Sequence, residues 1–288
     1  MSKETAPQTR MIVRGNGHSY LLDGEKVPGV TTILDNGIPK PALVGWAART
    51  VAEYVVDRLA IVDGKVLADE LVANLRAYNE TRKWPEKLGD GLARVGLTKV
   101  LATVQYAERD AAANRGTEVH SIAQRLAQGE EVDVPDELAD HVKSYLRFLE
   151  EWEPTDAIVE GVVVNRRWRY MGKFDMIATL PELGRTLLDL KTSRSGVYAE
   201  TALQLAGYRY GETMLDGDGE VPMPKVDSCA VVWIRADGYD VYRMAADEAA
   251  FRIFLYCKQV GAWLDRDNGA AATVKSDALA PPRAAVAS

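Results

Sequence analysis

Asp189 and Lys191 stand two residues apart in TLLDLKTS, and Asp175 closes the run GKFD that precedes it. Alternate residues of an extended chain share a face, so Asp189 and Lys191 project together while Leu190 points to the other side. A hairpin turning near Leu183 sets Asp175 roughly across from the same strand end. Two carboxylates and an ammonium gathered there suit a hard cation. Mg²⁺ or Mn²⁺ takes oxygen ligands, keeps several waters and draws its remaining ligands from a substrate phosphate. Such an ion lowers the pKa of a bound water. Lys191 can then orient or deprotonate that water, or stabilise the anion that forms. An ordinary solvated Asp–Lys pair has the same spacing, and such pairs are common and weak.

The elements that must position these residues read as a three-strand meander: Ala157 to Asn165, Trp168 to Leu180, and Thr186 to Ser193. The apolar, β-branched runs are bounded by Gly, Pro, Asn or charge, as short antiparallel connections require. Downstream, Val197 to Leu215 reads as an amphipathic helix. It carries Gln204 and Tyr208 four residues apart and therefore on one face. Both can hold a metal-bound water or a phosphate oxygen, or can simply seal the helix onto the sheet. Upstream, Arg115 to Glu130 reads as a helix with Thr117 as N-cap, a stripe of Val119, Ile122, Ala123 and Leu126, and a stop at Gly129. His120 in its first turn is either a capping or packing residue or a ligand. The next helix, Pro135 to Trp152, carries Leu138, Val142, Tyr145, Leu146 and Leu149, with His141 on its solvated or half-buried side.

The rest of the chain frames this centre. Met11 to Leu34 reads as a small β unit with Gly-Asn-Gly and Asp-Gly-Glu turns, with His18 exposed in the first turn region. Helices follow over Ala42–Leu59, Leu67–Tyr78 and Thr98–Asn114; Lys83 and Trp84 in the link between the last two form a solvated loop or a base-stacking pair. Beyond the Gln204 helix, DGDGEVPMPK is an acidic loop. Asp216, Asp218 and Glu220 do not complete a calcium loop, because no Glu stands at the closing position. Two strands and a helix from about Asp247 to Leu264, packing Phe251, Phe254, Leu255 and Val260, complete the fold. The Ala/Pro/Ser-rich tail 268–288 reads as disordered. No internal repeat is present; an oligomer is possible, but no heptad or exposed apolar stripe read from the sequence marks its contact.

With 47% hydrophobic and 27% charged residues over 288, the composition is that of a folded globular protein. A net charge of −7 argues against broad attraction to nucleic acid, but not against a local basic groove. Cys229 and Cys257 form no C-x-x-C pair and read as buried free thiols. Met1 to Arg10 lacks the apolar centre of a signal peptide and no run approaches a membrane span, so a soluble cytoplasmic protein is expected.

The succession GTEVH, Glu160, GKFD, LLDLKTS and QLAGY, in that order over Gly116 to Tyr208, resembles the RecB-like exonuclease branch of the PD-(D/E)xK nuclease superfamily. The run YLLDGEKVPGVTTIL and the following helix with Trp46 also look like the start of bacteriophage members, which are related to CRISPR-associated RecB-like nucleases. The resemblance implies an α/β restriction-endonuclease-like core, a mixed central sheet flanked by helices, with a helical N-terminal extension. The divisions would be 1–114 as N-terminal region, 115–267 as nuclease core and 268–288 as tail.

By the same resemblance His120, Asp175, Asp189 and the Leu190 carbonyl bind Mg²⁺ or Mn²⁺, and Lys191 is the catalytic lysine. Gln204 and Tyr208 contact DNA or a metal water, and Glu160 binds a second metal or shapes the pocket. Arg115, Arg166, Arg167, Arg169, Lys173 and Arg194 can steer a phosphate backbone. The iron–sulfur cysteines of many relatives are missing, so no cluster is expected, and no phosphate-binding G-x-x-x-x-G-K-[ST] loop signals a helicase. The implied activity is a DNA exonuclease of recombination, repair or end processing, in the host cytoplasm if phage-encoded, acting alone or with a recombination partner. A structure-specific or nicking endonuclease and a non-catalytic DNA-binding module are the alternatives.

Overall fold

The computed structural model describes residues 8–14, 17–59, 116–126, 129–193, 196–217 and 219–265. The helices expected over Leu67–Tyr78 and Thr98–Asn114, the Lys83–Trp84 pair and the tail lie outside the described residues. Two units are present, one of Met1–Pro39 with Gly116–Ser288 and one of Lys40–Arg115. The opening strands thus belong to the same unit as the candidate site.

That unit begins with strands β1 (Arg10–Arg14), β2 (Gly17–Leu22) and β3 (Glu25–Val27) in an antiparallel sheet. The β2–β3 turn is the two residues Asp23 and Gly24, both at positive φ (53° and 83°), as a tight hairpin with a right-handed twist demands. Helix α1 (Val30–Gly37) follows, which corrects the reading of VTTIL as part of the β unit. Val30, Ile33 and Leu34 are buried at helical spacing while Thr31 and Thr32 are exposed, so burial of one helical face outweighs β-branched propensity. The second unit contributes α2 (Pro41–Leu59), with a proline at its first position where the missing N–H costs nothing.

Residues 116–126 form α3, with Val119, Ile122 and Ala123 buried. Gly116 is already helical, so Thr117 is not the N-cap. The far end behaves as read: Gly129 sits at φ 78°, and the amides of Gly129 and Glu130 donate to the carbonyls of Leu126 and Arg125. A 3₁₀ turn (Asp136–Leu138) leads into α4 (Ala139–Trp152), which buries Val142, Tyr145 and Phe148. Leu146 is exposed, so Phe148 takes the place assigned to it on the apolar stripe. His141 is half-buried.

The expected meander is one long hairpin broken in two places. Its first arm splits into β4 (Thr155–Val159) and β5 (Val162–Asn165), and its second into β6 (Tyr170–Lys173) and β7 (Met176–Leu180). The break is coordinated: the amide of Glu160 donates to the Asp175 carbonyl and that of Phe174 to the Gly161 carbonyl, both at 2.9 Å. Glu160 takes a left-handed φ of 58°, and a Cβ on Gly161 would lie 2.2 Å from Phe174 Cζ. Here the hairpin passes from one sheet to another, and both Glu160 and Asp175 lie in the bends rather than on strands. β7 then turns through Pro181–Leu183 into β8 (Gly184–Lys191), pairing Leu180 with Gly184 and Met176 with Leu188.

Helix α5 (Glu200–Arg209) is shorter than expected, because Thr213–Asp216 is strand β9 rather than its last turn. The acidic loop likewise contains strand β10 (Gly219–Pro222), which pairs with β9. The two strands expected here are β11 (Ser228–Arg235) and β12 (Gly238–Arg243), which pair antiparallel, and α6 (Glu248–Leu264) closes the described chain, N-capped by Asp247 accepting from the Ala250 amide.

The result is a mixed α/β fold. The central sheet has the order β12-β11-β8-β7-β4, with β8 and β11 parallel and the rest antiparallel. A second sheet has the order β10-β9-β5-β6. One face of the central sheet packs Leu187 and Val231 with residues of α1, α5 and α6, and the other packs Leu188, Leu190 and Val232 with residues of α3 and α4. α1 and α6 approach so closely that a Cβ on Gly37 would lie 2.3 Å from the Cys257 carbonyl oxygen. Val260 is exposed, not in the core as read, while Cys229 and Cys257 are buried free thiols. Among the described residues, no helix is long and apolar enough to cross a membrane.

Candidate active site

β8 delivers the chemistry by simple alternation. Leu188 and Leu190 face the α3–α4 side, so Asp189 and Lys191 turn to the side occupied by α5. The register of β7 with β8 carries Asp175 to the same place, where its Oδ2 accepts a 2.7 Å hydrogen bond from the Leu190 amide. α3 brings His120 from the other side, with Nδ1 3.5 Å from Asp175 Oδ1.

Asp189 is the most enclosed member, its side chain only 3% exposed. Lys191 Nζ lies 2.8 Å from its Oδ2, so the two form a close ion pair. Gln204 Nε2 donates to Asp189 Oδ1 at 2.8 Å and to the Tyr208 hydroxyl at 3.2 Å, and Gln204 Oε1 accepts from Lys191 Nζ at 3.2 Å. The four-residue spacing on α5 thus becomes one polar row holding carboxylate and ammonium together. Tyr208 is buried and packs its ring where a Cβ on Gly172 would lie 2.7 Å away.

Burial pushes the Asp189 carboxyl above its ordinary value, against the pull of Lys191, and the nearby Asp175 charge adds to the rise. Burial also acts upward on Asp175, but His120, the Leu190 amide and Lys191 outweigh it and hold that carboxyl low. Burial acts to lower Lys191, yet Asp189 and Asp175 raise it above the usual lysine range. His120, opposed by burial, is raised by Asp175 and Asp189. Two carboxylates of opposite tendency therefore share one enclosed space with a firmly protonated lysine.

The donor set, two carboxylates and an imidazole, suits Mg²⁺ or Mn²⁺ in chemical type, and Asp189 Oδ2 is a buried oxygen that faces the Lys191 ammonium. Among the described residues, no three His, Cys, Asp or Glu side chains stand close enough together to ligate one ion as they are placed. Lys191 and Gln204 occupy the Asp189 oxygens instead.

Other expected residues divide. Glu160 is not on a strand, and its carboxylate is engaged by Lys173, with which it pairs closely. Arg166 is bound to Asp23 and Glu220, and Arg169 to Glu25; Arg167 stacks 5.3 Å over the Trp168 ring. These three arginines cluster at the β5–β6 turn, the opposite end of that hairpin from Lys173. Arg115 and Arg194 lie outside the described residues.

Two tyrosines that sequence reasoning left out of the site adjoin it. Tyr145 on α4 buries a hydroxyl that has no hydrogen-bond partner among the described residues, within electrostatic reach of Asp175. Tyr20 on β2 is buried, meets the Lys173 amide and influences Tyr208. Tyr145 stood on the α4 stripe and read as core; only topology brings Tyr20 here. His18 is exposed as expected, but on β2 beside Tyr20 rather than in a turn. No protein-family model matches the chain, and comparison with curated proteins finds no match.

Proposed function

We propose that this protein is a metal-dependent deoxyribonuclease with a PD-(D/E)xK core, acting as an exonuclease on DNA ends. The observation that carries the reading is the convergence of Asp175, Asp189 and Lys191 at one end of the β7–β8 hairpin, braced by Gln204. The order of elements supports it: helix α4, hairpin β7–β8, helix α5, then β11 parallel to β8. Mg²⁺ or Mn²⁺ would be held by Asp175 and Asp189, with His120 and the Leu190 carbonyl as further donors, and would supply an activated water and charge neutralisation at the phosphate.

The chain's own residues do the rest. Lys191, kept protonated by Asp189 and Asp175, orients the attacking water and stabilises anionic charge rather than serving as a free base. Gln204 fixes the ammonium against Asp189, so its position is set before substrate arrives. Water adds to phosphorus, the bond to the 3′-oxygen breaks, that oxygen takes up a proton, and a 5′-phosphate remains. Linear end-labelled DNA and a circular single strand, each incubated with Mg²⁺, Mn²⁺ or EDTA, test the reading. Metal-dependent loss of the linear strand with the circle intact is expected. Cutting of the circle replaces the exonuclease with an endonuclease of the same chemistry, and survival of both substrates removes the nuclease altogether.

A further inference from the structure

Helix α6 has two apolar faces. Phe254, Leu255, Cys257 and Gly261 are buried in the fold, while Ile253, Tyr256, Val260, Trp263 and Leu264 are each between 47% and 59% exposed. The first four exposed residues are spaced by three, four and three positions, the seam spacing of a two-helix coiled coil. A helix with one buried face ordinarily turns a polar face to water.

We propose that this stripe is a homodimer contact, in which α6 packs antiparallel against α6 of a second copy across a two-fold axis. The stripe is symmetric about position 258: Ile253 and Trp263 lie five residues to either side, and Tyr256 and Val260 two. An antiparallel pair therefore sets Ile253 against the partner's Trp263 and Tyr256 against the partner's Val260. Each meeting places an aromatic ring opposite an aliphatic side chain, so the surface complements itself, as an isologous interface requires. Antiparallel helices also bring opposite dipole ends together.

The area is sufficient. Half-exposed side chains of this size leave on the order of 500 Å² per copy, so a symmetric pair buries about 1,000 Å² before its polar rim is counted, the level a specific interface must clear. A second copy is the one partner certain to carry the matching stripe. The inference does not depend on what the β8 site hydrolyses.

Sedimentation equilibrium of the full chain over a range of concentrations tests it. The expected mass is twice the 31.6 kDa of one chain, dissociating on dilution. Tyr256→Glu and Val260→Glu, made separately, each weaken association by about thirtyfold or more. Their circular dichroism spectra should match that of the parent; Ile253→Gln is the milder substitution should either fail to fold. A parent chain that is monomeric throughout, as when another part of the chain covers the stripe, overturns the proposal. So does any assembly that survives these substitutions unchanged.

Discussion

The backbone amide of Leu190 donates to Asp175 Oδ2 at 2.7 Å, so the residue between the acid and the lysine of β8 also holds the second acid in place. One hydrogen bond thus links the geometry of the site to the pairing of β7 with β8. Asp175→Ala leaves that amide without its acceptor and is expected to cost about 1–3 kcal/mol in urea unfolding. Asp175→Asn keeps an acceptor oxygen and should cost less than about 1 kcal/mol. Both should lose hydrolysis by on the order of a hundredfold or more. Equal stability losses in the two variants would show that the amide does not depend on this side chain.

Lys191 is not detachable from the fold. It is the ion-pair partner of an almost fully buried carboxylate, so Lys191→Ala is expected to lower stability by about 3 kcal/mol as well as abolish activity. In Asp189→Asn the same lysine deletion should cost far less, because no buried charge is left unpaired. Denaturant unfolding of the four-member cycle measures this coupling, and additive losses would show that the pair contributes nothing.

Gln204 touches Asp189, Lys191 and Tyr208 at once. Gln204→Ala should lower kcat by about tenfold to a hundredfold, on the order of 1.4–2.7 kcal/mol of transition-state stabilisation, with KM little changed. Tyr208→Phe, which keeps the ring and loses one hydroxyl, should have the smaller effect. A Gln204→Ala enzyme with parent kcat and raised KM would make Gln204 a substrate-binding residue instead.

Much of this site was legible because it rests on the shortest periodicities. Asp189 and Lys191 share a face by strand alternation, Gln204 and Tyr208 by helical spacing, and the turn at Leu183 sets the register. The two breaks in the long hairpin were not legible. They depend on Glu160 adopting a left-handed φ and on Gly161 packing against Phe174, and neither leaves a pattern in hydrophobicity. Helix α1 was hidden by the β-branched composition of VTTIL, although Val30, Ile33 and Leu34 already stood at helical spacing. The exposed apolar stripe of α6 corrects the reading that the chain has none, although Ile253, Tyr256, Val260 and Trp263 already stood at that spacing. A sequence cannot say which of two apolar faces the fold will bury.

The N-terminal sheet is tied to the β5–β6 turn through Asp23 and Arg166, at 2.6 Å. The hydrogen bond from Arg166 is the largest influence on Asp23 and holds its carboxyl below the ordinary 3.8. Because the folded value is the lower one, the tie contributes fully above pH 3.8 and is lost as pH falls through the depressed value. Both groups are solvent-exposed, so the effect is local and weakened by salt. Amides of β2 and β3 should lose hydrogen-exchange protection in that acid window, after correction for the intrinsic rate. Asp23→Asn should show the lower protection already at neutral pH. An unchanged protection pattern in the variant would mean that the tie does not hold the strands.

The most direct test of the central claim is hydrolysis of linear DNA by the parent chain and by Asp189→Asn, each with Mn²⁺ and with EDTA. The parent should release fragments bearing 5′-phosphates only when the ion is present, and Asp189→Asn should be slower by on the order of a hundredfold or more. DNA left intact by the parent in Mn²⁺ and Mg²⁺ alike, or cut at the parent rate by Asp189→Asn, contradicts the account.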